Sequence, residues 1–599
     1  MLPAADLSLE VLGGITHDSG MKGRGMEVRR YGSGPLQDSP FPLIPDWESA
    51  DSPWHDAYPE HVPPRVDFQP VRVERLLEAA TLRYADRVAL HYFRTAWTYL
   101  ELYDRVRMVA GSLKKLGLGT GDRVMLVLPN QPEFIAAWFA LHSIGAEPVP
   151  ANPLMSGPEL AALARTCSVK AAIGLDVRMK PVAEMASLVD LPLLIETSLA
   201  THLPMHLRVP YLLQRTLAGT APASEITRRL PFDSLYRIGR PLTSPAIDDV
   251  DQPAVLQPTG GTTGTPKVAV LTHRNLCANV AQLHAWCQME PGRETFLSVL
   301  PFFHVYGATC AMLSPLAGGS TLVLQARFDP SRTLRLMQKH RPGVALLVPF
   351  MIASLNDEMR KRGVRLDDLQ LCMSGASPLS DDVAAEFESL TGARILEGFG
   401  LSEASPVTHS NPSDGTARVG TIGLPLPGTD VRLVDLEDGV SEVPVGEVGE
   451  LTIRGPQIMQ GYLDAPEETA IALRDGWLHT GDLARMSSDG FFEIVDRKKD
   501  MIITGGLNVY PSEVEEVIVA HPSVARCAVV GTEDRRYGER VCAWVVPAKG
   551  CRFDVEELRA YCREQMSGYK VPREFHECRD LPENFLGKVR RIELRNKAA

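Results

Sequence analysis

The alternation of short apolar strands with amphipathic helices, beginning near Val71, constrains the fold more than any other feature of this chain. Apolar residues recur at helical spacing in Glu74 to Tyr84 and again in Tyr103 to Leu116. Val124 to Leu128 is a short apolar run just after Gly121-Asp122. A further helix reads over Glu133 to Ile144, behind Pro132, a residue suited to the first position of a helix. Strand–helix alternation lets helices cover the faces of a sheet, so the prediction is an α/β layer architecture. With 599 residues the chain has length for a large core and more than one domain. Residues 1–53 are rich in Gly, Pro, Ser and Asp and lack periodicity, which reads as a tail or extension, poorly ordered in part.

Composition excludes some classes of function. A net charge of -12 argues against a general nucleic-acid binder, while leaving room for local basic sites that meet phosphates. The ten cysteines are scattered without a CxxC pair, as suits reduced thiols in a cytoplasmic protein. No apolar stretch reaches the ~18–20 residues of a spanning helix. Even Phe134 to Ala146 is interrupted by His142 and Ser143. The segment Leu191 to Arg240 breaks the alternation by mixing apolar residues with Arg208, Arg215, Arg228 and Arg229. It reads as an irregular surface insertion, with a basic amphipathic membrane-surface patch as the alternative.

Leu256 to His273, LQPTGGTTGTPKVAVLTH, has the composition of a polyphosphate cradle without being a Walker loop, because Lys267 lies between Pro266 and Val268. Three glycines and four threonines fill Thr259 to Thr265. Glycines let backbone N–H groups approach an anion closely, threonine hydroxyls add donors, and Lys267 adds a point charge. An ordinary Gly/Thr turn between two strands fits the same residues equally well.

Motif character changes near the charge cluster Asp496-Arg497-Lys498-Lys499-Asp500, which lies between the apolar segment Phe491 to Val495 and the strand Met501 to Thr504. Ser512-Glu513-Val514-Glu515 reads as a capping box opening a helix to about Ala520. Ala525 to Val530 and Val541 to Val546 read as strands, and Asp554 to Met566 as a helix capped by Asp554. About 100 residues suffice for a separate α+β domain, which puts a hinge at the cluster.

Six segments occur in a telling order: the loop Thr259 to Lys267, LPFFHVYG at Leu300 to Gly307, GFGLSEAS at Gly398 to Ser405, GWLHTGDLA at Gly476 to Ala484, DRKKDMIITGGLNVYPSEVE at Asp496 to Glu515, and GKVRR at Gly587 to Arg591. From Trp54 onward the chain resembles the adenylate-forming (AMP-binding) enzyme superfamily, and most of all its bacterial long-chain fatty acyl-CoA synthetases. The resemblance implies an α/β fold with a large multi-subdomain N-terminal adenylation domain at 54–495, a hinge at 496–500 and a small mobile α+β domain at 501–599. The implied reaction joins ATP and a medium to long-chain fatty acid as acyl-AMP with loss of pyrophosphate, and CoA then takes the acyl group and releases AMP. Alternatives are transfer to a carrier-protein thiol, an aryl acid–CoA ligase, or a fatty-acid-binding protein with a dead site. Peripheral contact with the inner face of a membrane and assembly as a homodimer are further expectations for its partners.

The resemblance also assigns residues. Lys588 bridges the carboxylate and the α-phosphate, and His304 orients the acyl group. Thr262 and Glu403 hold Mg²⁺, while Thr259, Gly260, Gly261, Thr263, Gly264 and Lys267 cradle the outer phosphates. Gly375, Ala376 and Ser377 pack on adenine. In Gly398, Phe399, Gly400, Leu401 and Ser402, Phe399 stands where relatives more often have Tyr, and Ser402 keeps a hydroxyl for the α-phosphate. Asp482 accepts the ribose hydroxyls beside Arg497. Lys499 is the hinge residue, and Gly505, Gly506 and Leu507 line the CoA tunnel after rotation. Two points diverge from these roles or lie outside them: Val268 replaces the family glycine after the lysine, and Gly307 and Ala308 put little bulk at the expected acyl entrance. Taken alone, Glu403 reads as a solvated carboxylate, Asp482 as a turn former, Lys588 as one cation of a basic tail and His304 as a structural histidine.

Overall fold

The computed structural model describes residues 52–217, 227–243, 248–259, 267–287, 289–504, 507–534, 537–583 and 587–598. The early alternation is present as helices Val73–Tyr84, Tyr99–Lys115 and Pro132–Ser143 with the strand Arg123–Val127 before the last of them. The second helix begins earlier than its apolar spacing suggests because Thr98 and Glu101 close a capping box. In the third, every residue from Pro132 to His142 is buried. A helix covered on all sides loses its polar stripe, which is why this stretch reads as an almost unbroken apolar run.

Two sheets carry the large domain. In the first, Glu147–Pro150, Arg123–Val127, Ala171–Leu175, Leu193–Thr197 and Arg228–Pro231 lie side by side, all parallel. The second has nine strands, with a parallel centre built from Arg394–Gly400, Leu371–Ser374, Val344–Leu347, Thr295–Ser298 and Thr321–Leu324. Val344–Leu347 is buried along its whole length, as expected of a parallel strand covered on both faces. A further antiparallel sheet contains Asp430–Val434, Val448–Arg454, Trp477–Met486 and Phe492–Arg497. The α/β class is therefore as expected.

The expected irregular insertion at Leu191 to Arg240 is not what forms. Its described residues give the parallel strands Leu193–Thr197 and Arg228–Pro231 and the helix Met205–Leu217 between them. Two of the four arginines that disrupt the pattern pair with acids: Arg229 and Arg215 both reach Glu196, and Arg215 also reaches Asp176.

Beyond Asp500 the chain builds a second, smaller α+β domain with an antiparallel core pair, Val524–Asp534 with Gly538–Pro547. Ile502, Val514, Ile518, Val529, Val541 and Leu558 form its own apolar cluster, distinct from those of the large domain. Asp554 caps the helix Val555–Gln565 by accepting from the backbone N–H groups of Glu556 and Glu557. The capping box expected at Ser512 is absent. The helix Pro511–Val519 starts two residues earlier than that box implies, with proline in its first turn, and Ser512 turns to Asp496 instead.

Candidate active site

Part of the predicted site lies at the carboxyl ends of the parallel strands of the nine-stranded sheet, the usual binding edge of an open α/β sheet. Thr295–Ser298 leads to His304, Leu371–Ser374 leads directly into Gly375-Ala376-Ser377, and Arg394–Gly400 leads into Leu401, Ser402 and Glu403. Ala376 sits at φ +77°, so the chain turns sharply as it leaves its strand. Phe399 pairs with His409 across the next strand, their rings 6.0 Å apart. A Cβ on Gly400 would stand 2.2 Å from the Pro406 carbonyl oxygen, so glycine is needed there for backbone approach.

The Gly/Thr loop closes a hairpin between Pro253–Pro258 and Val268–Thr272. Its ends are pinned together, because the Thr259 backbone N–H donates to the Lys267 carbonyl at 2.8 Å. Gly260, Gly261, Thr262, Thr263 and Gly264 lie outside the described residues, as do Gly505 and Gly506. Val268 has a structural explanation. It begins the inner strand, is 2% exposed, and packs in an apolar cluster with Leu256 and Val270. The departure from glycine thus adds core contact at the foot of the loop.

A residue that sequence reading passed over joins two parts of this site. Tyr462 lies on the short strand Gly461–Tyr462, paired with Val268–Thr272. Its ring lies beneath the Lys267 ammonium, 5.0 Å from the centroid, and its hydroxyl donates to Glu403 Oε1 at 2.9 Å. The backbone adds a second tie, Met459 N–H to the Glu403 carbonyl. Burial, reinforced by Glu403, pushes the Tyr462 phenol far up and keeps it a donor. The only sequence signal was an aromatic residue after Gly461.

Asp482 and Arg497 are cross-strand partners, with Arg497 Nε 3.1 Å from Asp482 Oδ1. Asp482 is 5% exposed. Burial raises its carboxyl pKa, while the charges of Arg497, Lys588 and Lys499 oppose the rise. Lys588 enters from the small domain: Gly587 lies against Phe350 of the large domain, where an added Cβ would meet the ring at 3.4 Å. Burial, then repulsion by Arg497, lowers the Lys588 ammonium to about 8, with Asp482 opposing. Its charge also reaches His304, where burial first and Lys588 second lower the imidazole to about 4. His304 is therefore neutral near pH 7, and its Nδ1 accepts the Tyr306 backbone N–H at 3.2 Å. Leu507 is exposed in the hairpin with Ile502–Thr504.

The expected roomy acyl entrance at Gly307 and Ala308 has another physical basis. A Cβ on Gly307 would stand 2.2 Å from the Pro301 carbonyl oxygen, so this glycine answers to backbone packing. Ala308 is 3% exposed, inside a π-helix spanning Tyr306–Leu313.

The expected hinge begins within a strand, since Asp496 and Arg497 complete Phe492–Arg497. Beyond it, Lys498 Nζ binds Glu450 Oε2 at 2.9 Å and its backbone N–H donates to the Gly481 carbonyl. Asp500 faces the small domain, pairing with Arg595 at 3.1 Å and Arg591 at 3.7 Å. Across the junction Asp496 Oδ2 accepts from the Ser512 N–H at 2.9 Å, while the Ser512 hydroxyl donates to the Val495 carbonyl at 2.5 Å.

A family model described as "AMP-binding enzyme" matches residues 77–463, and its companion, "AMP-binding enzyme C-terminal domain", matches 513–588. The chain belongs to the AMP-binding, adenylate-forming enzyme family. As a member, this acid–CoA ligase is similar to a long-chain-fatty-acid–CoA ligase of Bacillus subtilis, 36% identical over 90% of this chain and 97% of the relative. It is also similar to a feruloyl-CoA synthase of an Amycolatopsis species, 35% identical over 88% of this chain and 98% of the relative. Among solved structures, ATP-bound MatB from Rhodopseudomonas palustris matches the ligase with a TM-score of 0.75 at 28% identity, over 88% of this chain and 99% of that one. No helix among the described residues of the ligase is long and apolar enough to cross a membrane.

Proposed function

We propose that the protein is a fatty acyl-CoA synthetase that adenylates medium to long-chain fatty acids and passes the acyl group to CoA. The observation that carries the mechanism is that Lys588, from the small domain, lies within electrostatic reach of Asp482, Arg497 and His304 of the large one. Two anions must come together in the first half-reaction, as a carboxylate oxygen attacks the α-phosphorus and pyrophosphate departs. Fixed positive charge is what such a step needs. Lys588 bridges the carboxylate and α-phosphate, Asp482 takes the ribose hydroxyls, and Gly375 to Ser377 with Phe399 enclose adenine. Thr259 and Lys267 flank the loop that cradles the outer phosphates. His304, neutral and held through Nδ1, orients the acyl carboxylate with its other nitrogen.

Glu403 offers the hard oxygen donor that suits Mg²⁺, and with Thr262 it would hold the ion beside the phosphates. Bound there, Mg²⁺ supplies neutralisation of phosphate charge. In the second half-reaction the CoA thiolate attacks the acyl carbonyl carbon and AMP leaves with the electron pair of the mixed-anhydride bond. For that step the small domain turns about Lys499, Lys588 withdraws, and Gly505-Gly506-Leu507 lines the pantetheine path.

Fatty acid is favoured by the relative in Bacillus subtilis, and an aryl acid is the second reading because the feruloyl-CoA synthase is almost equally similar. CoA-dependent AMP release over a series of fatty acids, with ferulate and coumarate beside them, decides between the two. The fatty-acid reading predicts a maximum at medium to long chains, and a preference for ferulate would replace it.

A further inference from the structure

The small domain carries a donor set that the ligase reaction does not use. Strands Gly538–Pro547 and Glu574–Glu577 pair in parallel, with Cys542 opposite Glu574 and Trp544 opposite His576. Side chains two residues apart on a strand share a face, so this register puts Cys542, Glu574 and His576 on one side of the sheet. The thiol sulfur, a carboxylate oxygen and a ring nitrogen lie within 4.8 Å of one another. His576 Nε2 and Glu574 Oε2 are 3.4 Å apart. Around a tetrahedral zinc ion with bonds of about 2.0–2.3 Å, neighbouring ligand atoms stand roughly 3.3–3.7 Å apart, so the triad needs only modest contraction.

Three further observations suit a metal. His576 Nε2 is shut off from solvent and makes no hydrogen bond among the described residues, a cost that coordination would remove. The ring is already oriented, stacked on Trp544 with centroids 4.6 Å apart and planes 25° apart. Glu574 is held as well, since Arg540 takes its Oε1 at 3.1 Å and leaves Oε2 facing His576. A set of one sulfur, one nitrogen and one oxygen favours zinc over magnesium or calcium, which take oxygen ligands.

We propose that Cys542, Glu574 and His576 supply three ligands to one zinc ion. The ion ties the edge strand Glu574–Glu577 to its neighbour, and from that strand the chain runs on to Lys588.

The full-length protein, stripped with a chelator, is titrated with Zn²⁺ and with Co²⁺, which reports a thiolate ligand by near-ultraviolet charge-transfer absorption. Wild type is expected to show that band and a Zn²⁺-dependent rise in Tm. Cys542→Ser and His576→Gln should each remove the band and weaken one Zn²⁺ equivalent by more than about tenfold. The same stoichiometry and affinity in wild type and both variants, or no thiolate band in wild type, overturns the assignment. Cys542 is fully buried, so if its serine variant misfolds, the partly exposed His576→Gln decides the outcome alone.

Discussion

Lys498 and Asp500, one residue apart on either side of Lys499, are anchored to different domains. Lys498 is bound to Glu450 and to the backbone of Gly481, whereas Asp500 is bound to Arg595 and Arg591 of the C-terminal helix. The side-chain anchors thus change domain across Lys499, while the Asp500 and Met501 backbone N–H groups still turn back to the Arg497 carbonyl; the proposed pivot is therefore tested at Lys499.

Lys499→Pro tests this pivot, because proline fixes φ and removes the backbone donor. One half-reaction should survive near its normal rate while the other falls sharply, measured separately as acyl-AMP formation and as thioester formation from supplied acyl-AMP. Retention of both half-reactions would move the hinge elsewhere.

Ser512 supplies a latch for the observed orientation through its bonds to Asp496 and Val495. Removing the hydroxyl in Ser512→Ala costs about 1 kcal/mol of that orientation, about a fivefold shift in population. Adenylation should slow by a few-fold while thioester formation holds or quickens. Equal slowing of the two would point to a folding defect.

Tyr462 joins Lys267 to Glu403, and its two contacts separate by mutation. Tyr462→Phe keeps the ring under Lys267 and loses the Glu403 hydrogen bond, so the Mg²⁺ concentration for half-maximal adenylation should rise by a few-fold. Tyr462→Ala loses both and should also raise KM for ATP. Identical Mg²⁺ profiles in wild type and the Phe variant would remove Tyr462 from the site.

These cases show how far the sequence carries. The helices Val73–Tyr84 and Tyr99–Lys115 are legible because their apolar periodicity reports burial directly, Pro132–Ser143 is legible as an apolar run opened by a proline, and the ordered motifs point to the family. Register was not legible. The pairing of Asp482 with Arg497 needs two strands aligned, Tyr462 reaches Glu403 from 59 residues away, and Ser512 answers to Asp496 instead of its own helix. Such contacts are set by tertiary packing, which outweighs a local capping pattern. Glycine was ambiguous for the same reason: at Gly307 the need is set by the Pro301 carbonyl, which no local pattern reveals.

Lys588 also sets a pH dependence. Its ammonium is lowered to about 8, so the charge needed for adenylation is present below that pH and lost as pH rises through it. kcat/KM for pyrophosphate formation should therefore carry an alkaline limb near pH 8 that thioester formation from supplied acyl-AMP lacks. The same depression makes the buried charge a stability cost below about 8. That cost is relieved as pH climbs toward the ordinary lysine value of about 10.4. A limb shared by both half-reactions would assign it to another group.

Fatty-acid-dependent exchange of labelled pyrophosphate into ATP, compared between wild type and Lys588→Ala, tests the central claim most directly. Wild type should exchange with medium to long-chain acids, and the variant should lose nearly all exchange while still making thioester from supplied acyl-AMP. Absence of wild-type exchange at every chain length, or full exchange without Lys588, would contradict it.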